Sequence, residues 1–261
     1  MILPLFRVDA FATKLFEGNP AAVCVLEEWL PDDTLRRIAA ENNLSETAFV
    51  IGREQDYDLR WFTPRCEVQL CGHATLASAF VVFKILEPGR EKVSFATRSG
   101  NLSVTSDGGR LALDFPLLPP WACADPPPAL LSGLGSTPQE IVQIKDDYFA
   151  VYPREEEIRR ARPNLALLET LHPFGVCITA PGVHCDFVSR FFAPSYGIAE
   201  DPVTGSTHCS LAPYWAARLA KKRLHARQLS ARGGELWCEV AGNRVIIEGT
   251  AVLVMVGQIT L

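Results

Sequence analysis

Alternation of apolar and polar residues predicts that strands make up much of the chain. Residues 2–10 alternate well enough for a strand with one buried face. β-Branched and aromatic runs at 47–51 and 57–62 predict two more strands, and Gly18-Asn19-Pro20 predicts a turn before a buried strand at 21–26. Further strands are expected at 93–96, 102–105, 111–115, 140–145, 147–152, 174–180, 184–191, 226–230, 235–240, 243–248 and 251–258.

Helical periodicity is confined to a few segments. A helix opens at Pro31-Asp32-Asp33, places Leu35, Ile38 and Ala39 on one face, and ends at Asn42-Asn43. The other helices are expected near 129, at 154–160, at 74–85 after Gly72, and from Gly205 to about Lys221-Lys222. Because the strands cluster rather than alternate strictly with helices, the pattern favours the α+β class over a doubly wound sheet.

A proline-rich stretch divides the chain. Six prolines fall between positions 116 and 128. Because proline fixes φ and removes a backbone donor, such a stretch is typical of an extended linker. We therefore predict an N-terminal domain at 1–117 and a C-terminal domain at 126–261, whose last strand can cross back to the first domain.

One sequence pattern occurs in each half of the chain. Phe62-Thr63-Pro64 is followed, seven residues after its proline, by Cys71 and a helix that opens with glycine. Phe192-Ala193-Pro194 is followed at the same distance by Asp201, and a second such helix opens at Gly205. A helix as apolar as the first requires burial on most sides. The repeat therefore predicts two similar lobes, each a rolled, mostly antiparallel sheet around a central helix, with a site in the cleft between them.

The two helix starts are candidate anion sites. A helix that opens with glycine and small polar residues presents free backbone N–H groups and a partial positive charge. Gly72 in the first copy, and Gly205 with Ser206 in the second, are therefore candidates for binding a carboxylate or phosphate. The alternative is that both are ordinary strand-to-helix turns, with Ser206 serving as an N-cap.

Glu46 and His73 are candidate acid–base residues. Glu46 lies at the mouth of the apolar strand at 47–51, where partial desolvation suits a proton shuttle at neutral pH. His73 follows Cys71-Gly72 and has the chemistry to donate to a substrate anion or to orient the carboxylate base. The alternatives are a solvated or paired Glu46 in a turn and a packing or capping role for His73.

Cys71 and Asp201 occupy matching places in the repeat. Cys71 is a candidate substrate-binding residue whose thiolate the helix dipole would stabilise, although a small core residue is the simpler interpretation. Asp201 precedes a proline, so its backbone is expected to be extended. Its carboxylate has the chemistry to position His73 or a substrate amine or hydroxyl, or to cap its own loop.

Composition narrows the possible functions. A net charge of −5 lacks the basic excess of a nucleic-acid or membrane-surface binder, and no apolar run is long enough to span a membrane. The eight cysteines form no Cys-x-x-Cys pair, and His184-Cys185 and His208-Cys209 lack common ligand spacing, so no metal and a reducing cytoplasm are expected. Without a serine elbow, Walker loop or dinucleotide fingerprint, the pattern favours acid–base chemistry without a cofactor on a small carboxylate-bearing molecule.

A set of short motifs spans essentially the whole chain in a specific order. They are Val8-Asp9-Ala10-Phe11, Gly18-Asn19-Pro20-Ala21-Ala22-Val23, Asn43-Leu44-Ser45-Glu46-Thr47-Ala48-Phe49, Arg60-Trp61-Phe62-Thr63-Pro64, Cys71-Gly72-His73-Ala74-Thr75-Leu76-Ala77, Glu200-Asp201-Pro202-Val203-Thr204-Gly205-Ser206 and Arg232-Gly233-Gly234-Glu235-Leu236. Together they resemble the PhzF-like family of phenazine biosynthesis, which shares its two-lobed fold with diaminopimelate epimerase.

The resemblance implies a cofactor-independent isomerase that acts as a homodimer. Glu46 matches the family's catalytic glutamate, which moves a proton from one ring carbon of the substrate to another. His73 and Asp201 match a histidine and an aspartate that help hold the substrate. The family's carboxylate-binding groups match Gly72, Gly205 and Ser206.

Two other functions stay open. A non-catalytic member that binds a small molecule or a protein would keep the cleft, although a scaffold has no need of Glu46, His73 and Asp201 together. An amino-acid epimerase would need a second base opposite Cys71, and the repeat places Asp201 there rather than a second cysteine.

Overall fold

The computed structural model of the protein describes residues 1–144 and 147–261, which fall into two compact units. The first unit contains Met1–Phe115 and Ile246–Leu261, and the second contains Pro116–Val245. The C-terminal segment therefore belongs with the N-terminal residues. Lys145, the last residue of one predicted strand, lies outside the described residues.

The predicted domain limits, 117 and 126, lie close to the change of unit after Phe115. The predicted C-terminal domain also included 246–261, which the structure places in the first unit. The last strand pairs there along the whole N-terminal strand, from Ile2 opposite Thr260 to Ala10 opposite Ala251. This strand makes up most of the segment 246–261, which was predicted in the C-terminal domain and lies in the first unit.

The first unit is built mainly from strands. In chain order its elements are β1 (Ile2–Ala10), β2 (Asn19–Leu26), α1 (Asp32–Asn42), β3 (Glu46–Gly52), β4 (Tyr57–Phe62), β5 (Glu67–Val68), α2 (Gly72–Val81), β6 (Lys92–Thr97), β7 (Gly100–Asp107) and β8 (Arg110–Pro116). A π-helical turn, Val82–Leu86, extends α2. Each strand and helix predicted in this part of the chain is present.

The second unit contains a similar mixture of strands and helices. In chain order its elements are β9 (Trp121–Ala122), α3 (Pro128–Leu134), β10 (Glu140–Ile144), β11 (Asp147–Val151), α4 (Glu155–Arg160), α5 (Leu165–Glu169), β12 (Gly175–Pro181), β13 (Phe187–Ala193), β14 (Ile198–Asp201), α6 (Gly205–Leu219), β15 (Arg223–Gln228) and β16 (Gly234–Ala241). β17 (Arg244–Gly249) then leads into the first unit, which β18 (Ala251–Thr260) completes.

Both units repeat one order of strand pairings. In the first unit β1–β2, β3–β4 and β6–β7 are antiparallel, whereas β2–β3 is parallel across α1 and β4–β6 is parallel across α2. In the second unit β10–β11, β12–β13 and β15–β16 are antiparallel, whereas β11–β12 is parallel across α4 and α5 and β13–β15 is parallel across α6. The α+β prediction is confirmed, and the sequence repeat falls on the equivalent crossovers β4–α2–β6 and β13–α6–β15.

The crossover helices α2 and α6 are largely buried. Nine of the ten residues of α2 are buried, because small and apolar side chains cover it on all sides. Helix α6 stops at Leu219, two residues before the predicted end near Lys221-Lys222, because Ala220 takes a left-handed conformation. Lys221 instead forms an ion pair with Asp186. Neither these helices nor any others in the described residues are long and apolar enough to cross a membrane.

The proline-rich stretch is tied to the second unit rather than being a free linker. Trp121 and Ala122 pair with β10, which makes a short strand within the stretch. The Leu117 N–H donates to the Asn243 carbonyl, and the Leu118 N–H donates to the Cys209 carbonyl. Proline therefore keeps this segment extended, while its remaining donors are satisfied by neighbouring backbone.

Candidate active site

Glu46 is the first residue of β3. Its place is fixed by parallel pairing with Ala21 of β2 and by the buried run from Thr47 to Ile51 that follows it. The Glu46 side chain is 14% exposed. Its Oε2 atom is buried and, among the described residues, has no hydrogen-bond partner. Since a buried carboxylate oxygen without a donor is costly, a solvated turn residue no longer explains Glu46.

His73, the second residue of α2, lies against this carboxylate. Its Nε2 atom is 3.2 Å from Glu46 Oε2, an ion-pair distance without the alignment of a hydrogen bond. On the other side of the ring, Asn19 Nδ2 lies 3.3 Å from His73 Nδ1. An amide can present either its NH₂ group or its oxygen, so Asn19 can serve both protonation states of His73. The structure therefore brings His73 to the carboxylate that it was predicted to orient.

Cys71 completes a buried cluster with Glu46 and His73. It is the N-cap residue of α2, and its Sγ atom lies 3.5 Å from His73 Nδ1. Burial raises the pKa of the Cys71 thiol, and the Glu46 carboxylate adds to this effect. The helix dipole therefore does not produce a stable Cys71 thiolate, and a protonated, buried thiol is the interpretation that the structure favours.

The charge of His73 depends on the same neighbours. Burial by itself lowers the pKa of His73, but the Glu46 carboxylate 3.2 Å away favours the cation, and this pKa is raised well above its ordinary value. An imidazolium at position 73 places a positive charge 3.2 Å from the Glu46 carboxylate. The cluster thus places a carboxylate beside an imidazolium, largely away from bulk water.

The helix starts at Gly72 and Gly205 lack side-chain caps. Their N-cap residues are Cys71 and Thr204, and neither side chain accepts a hydrogen bond from its helix. Since no capping side chain covers the first turns, their N–H groups suit an anion. Ser206 is the second residue of α6, so the alternative in which it serves as the N-cap is wrong. Counted from the helix starts, Cys71 corresponds to Thr204 rather than to Asp201.

Asp201 is the last residue of β14 and is buried. Its extended backbone agrees with the prediction from the following proline. Its Oδ2 atom accepts a hydrogen bond of 2.5 Å from the Thr204 hydroxyl, so the carboxylate does bind its own loop, as the structural alternative proposed. Gln228 donates from Nε2 to the Asp201 carbonyl at 2.8 Å and accepts from the Thr204 N–H at 2.9 Å. The loop before α6 is therefore rigidly held.

Replacing Gln228 with leucine is expected to destabilise the protein. The Gln228→Leu variant leaves the Thr204 N–H buried without this acceptor, at a cost of about 1–3 kcal/mol in the free energy of unfolding. Urea unfolding measures the change. Gln139→Leu, at an exposed position of the same unit, serves as the control and is expected to stay within about 0.5 kcal/mol of the parent. Equal stability of the two variants would show that the Gln228 hydrogen bonds are unimportant.

The structure brings together Glu46, Cys71 and His73 in the first unit, whereas Asp201, Gly205 and Ser206 belong to the second. Asn19 and Gln228 are two site residues that the sequence analysis did not find. The sequence signal for Gln228 was the alternation of residues in β15, because Gln228 follows Leu224 and Ala226 on the buried face of the strand. Asn19 was interpreted only as part of a turn.

The remaining histidine and cysteine candidates take structural places in the second unit. His208 is fully buried, and its Nδ1 atom lies 2.8 Å from the Thr204 carbonyl. Cys209 is buried on the same helix. The segment Arg232-Gly233-Gly234-Glu235 turns the chain between the antiparallel strands β15 and β16, with Gly233 at a positive φ of 65°.

Comparison with known proteins identifies the family of the chain. Residues 8–257 match the PhzC-PhzF family, described as phenazine biosynthesis-like protein. An uncharacterized isomerase of Pseudomonas aeruginosa is 54% identical over the full length of both chains. A crystal structure of a PhzF-family phenazine biosynthesis protein from Enterococcus faecalis superimposes with a TM-score of 0.96 at 47% identity, covering 100% of both chains.

A more distant structural neighbour shows how widely the fold is shared. A hydroxyproline epimerase from Agrobacterium vitis, with bound trans-4-hydroxy-L-proline, has a TM-score of 0.62 at 12% identity, covering 99% of this chain and 92% of the other. This likeness confirms the epimerase-like fold and nothing finer. On the sequence matches, the chain belongs to the phenazine biosynthesis-like protein family, and its enzyme class is that of an isomerase.

Proposed function

We propose that the protein moves a proton within a small carboxylate-bearing substrate without a cofactor, with Glu46 as the general acid and base. The observation that carries this proposal is the buried Oε2 atom of Glu46, which lies 3.2 Å from His73 Nε2 and has no aligned hydrogen-bond donor among the described residues. Such an oxygen can accept a proton from carbon and return it at another position. The isomerase class of the family supports a reaction of this kind.

In the proposed reaction Glu46 removes a proton from a carbon next to an unsaturated or carbonyl group. The electron pair of the broken C–H bond moves into that group, and the developing negative charge needs stabilisation. His73 provides positive charge next to the base and helps hold the substrate. Glu46 then delivers the same proton to a second carbon, so that the reaction balances without another reagent.

The substrate carboxylate is proposed to bind at uncapped helix starts. Gly72 begins α2, and Gly205 with Ser206 begins α6, where backbone N–H groups and the helix dipole favour an anion. Asp201 is proposed to accept a hydrogen bond from a substrate amine or hydroxyl. Its rigid support by Thr204 and Gln228 suits a residue that orients a ligand.

The two alternatives are less well supported by the cluster. An epimerase with two cysteine bases needs reactive thiolates, whereas burial raises the pKa of the Cys71 thiol. A binding protein does not need a general base, whereas the largely buried Glu46 carboxylate lies beside His73 in an arrangement suited to proton transfer. Both observations favour a single-base isomerase with Glu46 as its base.

Hydrogen exchange with solvent tests the proposal. The protein is incubated in D₂O with a set of unsaturated and oxo carboxylic acids, and NMR and mass spectrometry follow the position of double bonds and the entry of deuterium at carbon. We expect one compound to isomerise, with hydrogen retained or exchanged on one face. Inversion of a stereocentre would favour the epimerase, and binding without isomerisation or exchange would favour the binding protein.

The cellular compartment and the oligomeric state of the enzyme are also part of the proposal. All eight cysteines are free thiols, which supports a reducing, cytoplasmic compartment. The homodimer that the family resemblance implies stays a prediction. Size-exclusion chromatography with light scattering would measure the oligomeric state directly.

A further inference from the structure

We infer that the Glu46–Cys71–His73 cluster is also a binding site for Zn²⁺, and that the bound ion inhibits the enzyme. Metal binding stands on the cluster alone, whereas the inhibition rests on the proposed role of Glu46. The sequence analysis expected no metal, because the three residues follow no common ligand spacing. Folding brings the three residues together, because Glu46 begins β3, whereas Cys71 and His73 lie at the start of α2.

The donor set suits zinc. A carboxylate, a thiolate and an imidazole are the three side-chain ligand types that Zn²⁺ takes in proteins. One ligand atom from each of the three residues lies within 4.8 Å of the other two. Within residues 1–144 and 147–261, this is the one group of three such side chains whose ligand atoms lie so close together.

The separations between ligand atoms fit a tetrahedral ion. Zinc bonds of roughly 2.0–2.3 Å place neighbouring ligand atoms roughly 3.2–3.8 Å apart. Glu46 Oε2 lies 3.2 Å from His73 Nε2, and Cys71 Sγ lies 3.9 Å from the same nitrogen. Movements of a few tenths of an ångström would therefore complete these two edges of the coordination shell, and the ligand atoms of Glu46 and Cys71 lie within 4.8 Å of each other. The thiol proton of Cys71 and the Nε2 proton of the His73 imidazolium pass to solvent when the sulfur and the nitrogen bind the metal.

The surroundings of the cluster also suit a metal. Glu46 Oε2 is buried and, in the described part of the chain, has no hydrogen-bond donor, so an ion would satisfy it. Metal-binding imidazoles are usually oriented by a hydrogen bond to the other ring nitrogen. Asn19 occupies that position, 3.3 Å from His73 Nδ1. The cluster thus contains three ligands for the ion, and Asn19 is placed to orient one of them.

Inhibition follows from which atoms the ion would occupy. Zinc bound to Glu46 Oε2 and His73 Nε2 would remove the proposed base and its cationic neighbour from proton transfer. Three protein ligands leave the fourth tetrahedral position for water or for a carboxylate. A substrate carboxylate bound there would be held without being turned over, so zinc would lower the turnover number more than the affinity for substrate.

Metal titration tests the site without any need for substrate. Zn²⁺ is added to the reduced full-length protein in competition with a chromogenic chelator, and Co²⁺ is used as a spectroscopic substitute. We expect one equivalent to bind, and the Co²⁺ complex to show thiolate charge-transfer absorption with the intense visible bands of tetrahedral geometry. Cys71→Ser is expected to weaken Zn²⁺ binding at least about 100-fold, a loss no smaller than that from removing a supporting residue.

Cys66→Ser is the matched control, because Cys66 is an exposed free thiol in the turn between β4 and β5 and does not belong to the cluster. It is expected to leave both the affinity and the Co²⁺ spectrum unchanged. Equal binding by the parent and Cys71→Ser, or an octahedral Co²⁺ spectrum in the parent, would show adventitious binding only and overturn the inference. The spectrum of the parent keeps the test valid if Cys71→Ser does not fold. A failure of the hydrogen-exchange experiment would leave this spectrum unchanged, so the two proposals fail separately.

Discussion

The Glu46→Gln variant is expected to lose about 10²–10⁴-fold in turnover, the usual contribution of a general acid–base group. Glutamine keeps the shape of glutamate but cannot accept a proton at neutral pH. The loss should appear in the turnover number and in the rate of deuterium entry at carbon. Binding of the carboxylate should change little, because the helix starts at Gly72 and Gly205 are untouched.

Glu41→Gln provides the matched control for this change. Glu41 is an exposed residue of α1, so the substitution removes a similar charge without entering the cluster. We expect it to keep full turnover. Circular dichroism and thermal unfolding establish that both variants are folded. A folded Glu46→Gln protein with parental turnover would exclude Glu46 as the base, whatever the substrate is.

The sequence predicts the long helices and strands well, because each contains several repeats of its period of apolar and polar residues. In α1, the residues predicted on one face, Leu35, Ile38 and Ala39, are the buried ones. In β1, the alternating run predicts a strand over the residues that form it. The repeat is also readable, since an apolar helix that opens with glycine marks the same parallel crossover in each unit.

Short elements have no such local pattern. β14 has only four residues, Ile198–Asp201, and α5 has only five, so neither contains enough repeats of a period to be recognised. Tertiary contacts hold them instead. β14 pairs with β13, and Glu200 of β14 forms a bidentate ion pair with Arg190 of β13 at 2.7 and 2.9 Å. The sequence does not show which arginine lies opposite which glutamate.

The residues of the candidate site also divide into those that a local sequence pattern reveals and those that only tertiary contacts bring together. Glu46 and His73 are found from the sequence because they stand at the starts of strongly patterned elements. Asn19 is not, because its contact with His73 joins positions 54 residues apart. The grouping of Glu46 and His73 with Cys71, which is compatible with a metal, is also not found from the sequence, because it forms only when β3 and α2 pack together. What the sequence analysis misses is therefore the support for the candidate residues Glu46 and His73 rather than the candidates themselves.

Acidification is expected to destabilise the protein through His208. Burial lowers the pKa of His208 to about 4, although the hydrogen bond to the Thr204 carbonyl acts in the opposite direction. The ordinary value for an unfolded chain is about 6.5, so between pH 6.5 and 4 the unfolded state takes up a proton that the folded state does not. Stability that is present above about pH 6.5 is therefore lost as the pH falls, by about 3 kcal/mol at pH 4.

Urea unfolding of the parent and of His208→Gln, at pH 7 and at pH 4.5, measures this loss. His208→Gln removes the titrating group and costs stability at pH 7, because it disturbs the ring contact with Phe187 at 5.7 Å. However, its stability should fall by about 2–3 kcal/mol less than that of the parent between the two pH values. His184→Gln, at an exposed turn position, should follow the parent. Because carboxylates titrate alike in all three proteins, parallel losses would mean that acid acts through them and that His208 is protonated readily in the folded state.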